Sequence, residues 1–427
     1  MRIKDCNNTA DFRRLAKKRL PAPLFHYIDG GSDDEITLRR NTEAFDKVRL
    51  IPNVLADLSA MDLSVKVLGQ DIEWPVFCSP TGMSRLFHHH GERAVCRAAH
   101  KAGTMYTLST LSTVSIEEIA ALTPGPKCFQ LYIHKDRGLS YAFIERCKEA
   151  KFSSLCLTVD TLVAGNRERD LITGMVMPPK FTLSSMLSFM LHPSWALHFL
   201  MSEKFQLANV AGQIEAGTGK LTSVIDYINS QFDRSITWKD AEQAIQAWGG
   251  PFAIKGAMSV EDARRAVDIG ASAIMISNHG GRQLDGSTAP FDQLAAIVDA
   301  VGDKIEVILD GGVRRGTHVL KALAMGARAC MVGRAYLYAL AAGGQPAVER
   351  ALDRLRQEGY EKHFFGPRDP DVPPSLMYGQ LGYACKFFEF DPESETHHAW
   401  EWGDPFTWLP IFVLDPPTSR RRSCSGW

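Results

Sequence analysis

His279 and Arg282 stand three residues apart in SNHGGRQLDG (277–286), with two glycines between them. An imidazole can take a proton near neutral pH, and a guanidinium can grip a carboxylate through two parallel hydrogen bonds. Gly280 and Gly281 let the backbone come close to a ligand. Asp160, in LTVDT (157–161), has the chemistry to hold and charge-stabilise an imidazolium, or simply to cap a turn. Arg167, in AGNRERD (164–170), is either a second cation for the same small anion or a surface charge. LDGGVRRG (309–316) and MVGRA (331–335) offer glycine backbone N–H groups with Arg314 and Arg334 beside them, a combination suited to a phosphate dianion. Lys255, in AIKGAMS (253–259), reads as a buried ammonium that requires a negative partner. Position alone leaves two uses for it, a Schiff base or contact with an electron-rich cofactor ring.

Something must bring these groups together. Eight short apolar runs recur along the chain, at 75–80, 104–109, 128–132, 155–160, 251–256, 273–278, 306–311 and 329–334. They lack polar alternation, as expected of parallel strands buried on both faces. Amphipathic segments separate them, among them 91–103, 115–122, 136–150, 259–271 and 315–327, several opening on Ser or Asp and closing on Gly. Strands alternating with helices in this number predict a closed (β/α)8 TIM barrel rather than an open doubly wound sheet. The first run ends in SPTGMS, which is no dinucleotide fingerprint. In such a barrel the C-terminal strand ends face the site. Read in order, those ends give Pro80, Thr81 and Gly82; Ser109; Gln130 and Tyr132; Thr158 and Asp160; Lys255; Ser277, Asn278 and His279; Asp310, Gly311 and Gly312; Gly333 and Arg334. Polar residues at almost every strand end would be costly in a purely structural protein, so the set reads as a ligand-binding ring.

One spacing departs from the repeat. The gap between Asp160 and Pro251 exceeds one helix, which predicts an insertion at about 170–237. It contains FTLSSMLSFMLHPSWALHFLM (181–201), apolar on most sides: a lid, a subunit contact or a membrane-surface patch. A helical segment is expected before residue 50. The last 71 residues hold nine of the 22 prolines and four of the eight tryptophans, so 357–427 are expected to form an atypical, mostly irregular tail after a domain of 1–356.

The 427 residues are 45% hydrophobic and 23% charged, which excludes a disordered, collagen-like or coiled-coil chain. A formal charge of -1 gives no polyelectrolyte surface, and no nucleic-acid partner is expected. Nine scattered cysteines without a Cys-x-x-Cys pair argue for a reducing compartment and against a zinc site. The N-terminus lacks the apolar stretch of a signal peptide, and no run of about 18 apolar residues marks a membrane span.

Taken together, FHYIDGG, SPTG, TLST, FQLY, LTVDT, GNRERD, AIKGAMS, SNHGGRQLDG, LDGGVRRG and MVGRA closely resemble the FMN-dependent α-hydroxy acid dehydrogenase/oxidase family, over about residues 5–356. That family includes glycolate oxidase, L-lactate dehydrogenase and mandelate dehydrogenase. The resemblance implies that Pro80, Thr81, Gly82, Ser109, Gln130 and Thr158 line a flavin ring, with Lys255 near its N1–C2=O edge and Ser277 in contact with the cofactor. It implies that Asp310, Gly311, Gly312, Arg314, Gly333 and Arg334 hold the ribityl phosphate end. Tyr27, Arg167 and Arg282 would bind a substrate carboxylate and Tyr132 its hydroxyl side, with His279 as base and Asp160 as its partner. The implied reaction is oxidation of an (S)-2-hydroxy acid, L-lactate or mandelate-like, to the 2-oxo acid. Gly82, where some oxidases of the family have Ala, and the apolar 181–201 segment resemble membrane-associated members that pass electrons to quinone. The expectation is a homo-oligomer in the cytoplasm, peripheral on the inner membrane. An O2-using oxidase, or a non-catalytic FMN-binding or membrane scaffold protein disabled by its tail, are the alternatives. Leu111, after TLST, leaves room for side chains larger than that of glycolate.

Overall fold

The computed structural model describes residues 1–52, 62–175, 179–210 and 233–358, together with the backbone of three short strands at 385–389, 401–402 and 411–412. Eight parallel strands close into a barrel: β1 Val76–Cys78, β2 Tyr106–Ser109, β3 Lys127–Leu131, β4 Ser154–Thr158, β5 Phe252–Lys255, β6 Ala273–Ile276, β7 Glu306–Asp310 and β8 Ala329–Val332. Each falls on one of the eight predicted runs, give or take a residue or two. The ring is shut by β8 on β1, with Val332 opposite Cys78.

Alternate residues of each strand serve two cores. Phe77, Cys128, Cys156, Met275, Ile308 and Met331 point into the barrel. Their neighbours Val76, Phe129, Leu155, Ile274, Leu309 and Val332 pack outward under the helices. Because both faces are apolar, the strands carry no polar alternation. A hairpin of Val65–Val67 and Gln70–Ile72 plugs the N-terminal end of the barrel. Val67 and Leu68 join the inner core there, and the Leu68 N–H donates to Glu306 at 2.7 Å.

Before the barrel come α1 Thr9–Arg19, α2 Ala22–Asp29 and α3 Ile36–Glu43. The helices that follow successive strands are α4 Gly91–Lys101, α5 Ile116–Leu122 and α6 Arg137–Glu149. After β4 come α7 Glu168–Thr173, α8 Leu183–Met190 and α9 Pro193–Met201, before α10 Trp238–Trp248 resumes the barrel wall. The wall is completed by α11 Val260–Asp268, α12 Pro290–Val301, α13 Gly316–Ala324 and α14 Arg334–Arg356. Several starts are capped by their own sequence: Ser115 accepts from Glu118 N–H, Asp136 from Gly138 and Ser259 from Asp262. The last helix is kinked at Gly343–Gly344, with Pro346 just beyond, and packs on both α1 and α4.

The insertion is real, and its apolar helices turn outward. Leu183 is 86% exposed and Leu200 80%, and Met186, Leu187, Met190, Leu191, Leu197 and Met201 are exposed with them. Among the described residues no helix is long and apolar enough to cross a membrane. The remainder of the insertion, at 176–178 and 211–232, lies outside the described residues. In the tail, Cys385–Glu389 pairs antiparallel with Val48–Pro52. The expectation of irregularity elsewhere in 357–427 falls outside the described residues.

Candidate active site

A cavity of about 1110 Å³ opens at the C-terminal ends of the strands. The residues singled out from the sequence line it, except Asp160, Ser109, Ser277, Asn278 and Gly281. Asp160, Ser109 and Ser277 are each hydrogen-bonded to a residue that faces the cavity.

The imidazole is presented by a turn after β6 in which His279, Gly280 and Gly281 all have positive φ (57°, 69° and 72°). Such a backbone is unusual for a histidine and costs roughly 1–3 kcal/mol, which the surroundings must hold in place. They do so through hydrogen bonds. His279 N–H donates to Ser277 Oγ at 3.1 Å, and Gly281 N–H to Asn278 Oδ1 at 3.1 Å. Asn278 in turn exchanges two amide hydrogen bonds with Asn41 of α3, at 2.8 and 2.7 Å. His279 Nδ1 meets Asp160 Oδ1 at 2.9 Å, which leaves Nε2 for the cavity. Gly256, at φ 111°, lets the loop after β5 pass Asp160, since a Cβ there would lie 2.8 Å from the Asp160 Cβ. Gln283 fastens the two loops by donating to the carbonyls of Asp160 and Val163, both at 2.9 Å.

Beside the imidazole two guanidinium groups share one aromatic ring. The Arg282 and Arg167 guanidinium carbons lie 4.9 and 5.3 Å from the Tyr27 ring centroid. Arg282 also donates to the carbonyls of Tyr27 at 2.5 Å and Gly30 at 3.2 Å. Burial, and then the neighbouring Arg167 charge, push the Arg282 pKa down to about 10, so the group remains cationic at neutral pH. Tyr27 reaches the cavity because Asp29, two residues on, is tied down by Arg13, Tyr338 and Arg169, at 2.7, 2.8 and 3.0 Å.

The inner end of the cavity is a closed ionic knot. Lys255 Nζ lies 2.8 Å from Asp310 Oδ2 and donates to Ser277 Oγ at 3.0 Å. Asp310 accepts further bonds from Ser277 and Ser79, at 2.8 and 2.7 Å. Burial alone would depress the Lys255 ammonium, but the Asp310 and Asp160 carboxylates outweigh it and hold its pKa above the ordinary value. Burial would likewise raise Asp310, yet Lys255 keeps that carboxyl below the usual range. The pairing therefore favours the charged ammonium.

Directly after Asp310 comes the glycine cradle. Gly311 and Gly312 have φ of 135° and 76°, and a Cβ on Gly312 would fall 1.8 Å from the Asn41 carbonyl oxygen. Arg314 lines the same wall and is buried enough for its pKa to be lowered. Arg334 spends three of its N–H groups on the carbonyls of Ile28, Gly280 and Gly30, at 2.9, 2.8 and 2.8 Å. It braces the N-terminal segment against the His279 loop and keeps its remaining donors for the cavity.

The FMN-dependent dehydrogenase family profile matches residues 16–362. The chain belongs to the FMN-dependent dehydrogenase family. It is 42% identical over 353 residues to an L-lactate dehydrogenase of Alcaligenes faecalis, covering 82% of this chain and 93% of that one. It is 43% identical over 350 residues to an L-lactate dehydrogenase of Xanthomonas campestris pv. campestris, covering 82% and 90%. Among solved structures it resembles the monotopic membrane protein (S)-mandelate dehydrogenase, with a TM-score of 0.79 at 37% identity over 83% of this chain and 93% of that one. A mandelate oxidase in complex with (S)-4-hydroxymandelic acid gives a TM-score of 0.71 at 38% identity, again over 83% and 93%.

FMN, the cofactor of this family, suits the donor set. The cavity has an ammonium paired with Asp310 for an electron-rich ring edge, and a side-chain-free glycine cradle with Arg314 and Arg334 lining the same cavity for a phosphate. Ser79, Pro80, Thr81 and Gly82 of the SPTG turn line the same cavity. Ser277 is fully buried and bonded to both Lys255 and Asp310, and Ser109 donates to Gln130 Oε1 at 3.1 Å, so each also orients a lining residue.

Sequence reasoning passed over Ser79, Gln283, Asn41 and Asp170. Ser79 and Gln283 sit inside the quoted motifs, where their polarity was a usable signal. Asn41 lies in an ordinary amphipathic helix and gave none.

Proposed function

We propose that this enzyme oxidises a small (S)-2-hydroxy acid, of the L-lactate or mandelate type, to the 2-oxo acid. The observation that carries the reading is the meeting of one Asp-held imidazole with two guanidinium groups in a single cavity. Arg282 and Arg167 grip the substrate carboxylate, which fixes the α-carbon beside His279. Tyr132, at the end of β3, faces the hydroxyl side. His279 Nε2 accepts a proton, from the α-carbon or from the hydroxyl, and Asp160 stabilises the imidazolium that results. Bound FMN supplies the two-electron acceptor. Lys255 places a fixed positive charge where negative charge accumulates, and because Asp310, Ser277 and Ser79 already orient it, little reorganisation accompanies the reaction.

The electrons pass on to a membrane quinone or a similar acceptor, with the protein peripheral on the inner membrane. Two features support this: the outward apolar residues of α8 and α9, and Gly82 in the turn beside the ring site. The test uses the purified yellow holoprotein under anaerobic conditions. L-lactate or (S)-mandelate should bleach the flavin absorbance, simple alcohols should not, and reoxidation by a quinone analogue should outpace reoxidation by O2. A flavin that neither acid reduces would refute the substrate assignment. Fast O2 consumption by a wholly soluble protein would refute the acceptor and the location.

A further inference from the structure

Two arginines occur in the GNRERD motif, and the fold separates their uses. Arg169 turns back to α2, where it pairs with Asp29 at 3.0 Å and with Glu35. Arg167 turns into the cavity. What holds it there is Asp170, one helical turn on. Asp170 N–H donates to the Arg167 carbonyl at 2.9 Å, so the two residues belong to one turn and their side chains share a face. The carboxylate is 5% exposed, lines the cavity, and places Oδ2 3.3 Å from Arg167 Nε. That oxygen has no hydrogen-bond partner among the described residues. A buried carboxylate oxygen that faces a guanidinium without a formed hydrogen bond is a contact ready to tighten when the guanidinium is loaded.

The surroundings explain why a counter-charge is needed. Arg167 and Arg282 flank one tyrosine ring, and Arg334 approaches from α14, so three cations lie close together. The other titratable groups facing the pair are Tyr27, Tyr132 and the His279–Asp160 couple. Asp160 is already engaged with the imidazole, and both Asp29 and Glu35 are taken by Arg169. Burial raises the Asp170 carboxyl, against the pull of Arg167 and then Arg282, which identifies those two cations as its electrostatic partners.

We propose that Asp170 is a positioning residue for the carboxylate clamp: it engages Arg167 through Nε, leaving the outer Nη groups of that guanidinium aimed at the substrate carboxylate. The proposal rests on the hydroxy-acid reading above and adds how its second cation is held. The decisive experiment is a double-mutant cycle on the holoenzyme, with the binding of oxalate, an unreactive carboxylate, followed by flavin absorbance. Asp170→Asn in the native background should weaken oxalate binding by about tenfold. In an Arg167→Met background the same change should alter binding less than twofold, because Asp170 then has nothing to position. Asp170→Glu, which keeps the charge, should recover most of the affinity and of KM, with kcat less affected than KM. Equal losses in both backgrounds would reduce Asp170 to a fold-stabilising role and overturn the proposal, as would unaltered binding in Asp170→Asn. Should Asp170→Asn not retain FMN, Asp170→Ser, which also removes the carboxylate, carries the same cycle, and absence of coupling to Arg167→Met overturns the proposal equally. Failure of L-lactate and (S)-mandelate to reduce the wild-type flavin would instead count against the hydroxy-acid reading, whatever the oxalate cycle gives.

Discussion

Replacing Lys255 with methionine removes one half of a buried ion pair and leaves the other. Lys255 and Asp310 are 2.8 Å apart with side chains 4% and 11% exposed, so little solvent is available to screen the abandoned carboxylate. Breaking such a pair costs about 3–5 kcal/mol. Asp310 keeps its bonds from Ser79 and Ser277, which favours the lower end. At roughly 2 °C per kcal/mol for a domain of this size, a fall in melting temperature of about 6–10 °C is expected at pH 8. The comparison is made on flavin-free protein, because FMN binding would add its own stabilisation to one variant and not the other. The pH dependence gives the sign. In the wild type the Asp310 carboxyl lies below its ordinary pKa, so its contribution is present above the unfolded value and is lost as pH falls through the folded one. Without Lys255, burial is opposed only by the Ser79 and Ser277 hydrogen bonds, and the carboxyl moves up toward and past its ordinary value. Protonation then favours the folded state, and the deficit of Lys255→Met should shrink between pH 8 and pH 5. The double change Lys255→Met with Asp310→Asn should recover at least half of the loss at pH 8. A deficit below about 2 °C, or one that Asp310→Asn leaves untouched, would refute the reasoning.

Asp160→Asn keeps a hydrogen-bonding group beside His279 but removes the charge that stabilises the imidazolium; turnover should fall by a factor on the order of 10²–10⁴ while KM changes little, as steady-state kinetics will read. In Gly82→Ala the new Cβ would lie 3.1 Å from both the Cβ and the carbonyl oxygen of Leu111, so Leu111 must yield by a few tenths of an ångström. The expected outcome is a loss of about 1 kcal/mol and a larger rise in KM for (S)-mandelate than for L-lactate, since Leu111 lines the cavity. Leu183→Ser combined with Leu200→Ser should change stability by less than about 1 kcal/mol, both side chains being at least 80% exposed, yet release the protein from vesicles of anionic lipid in a sedimentation assay without changing turnover with a soluble dye.

The barrel was legible because its strands are covered on both sides. Phe77 faces the inner core while Val76 and Cys78 face the helices, and that double burial writes itself into the chain as an unbroken apolar run. The strand-end groups were legible for the complementary reason: a polar residue at the close of such a run needs a use. Residue type and spacing alone do not say which of two similar residues faces the cavity; for the arginines only the family resemblance pointed to Arg167. Arg167 and Arg169 are two apart, and only the direction of α7 against α2 sends one to Tyr27 and the other to Asp29. Ser277 and Ser109 carry the right polarity at the right strand ends, but the pleat sets their hydroxyls behind Lys255 and Gln130. Asn41 was invisible because its value lies in a reciprocal amide pair with Asn278, 237 positions away.

The same contacts explain why residues ahead of the barrel belong to the site. Arg282 on the loop after β6 and Arg334 at the start of α14 both donate to carbonyls of residues 27–30, and Gly30 O accepts from each. The end of α2 is therefore a shared anchor for two loops that no strand pairing connects. Tyr27 contributes its ring to the cations and its carbonyl to Arg282, so the side chain and backbone of one residue fix the clamp from two directions. Asp29 closes the arrangement by tying this segment to Arg13, Arg169 and Tyr338, which lie on α1, α7 and α14. A cavity that must confine several guanidinium groups cannot rely on strand ends alone; it needs backbone carbonyls brought in from outside the barrel, and the first helices supply them.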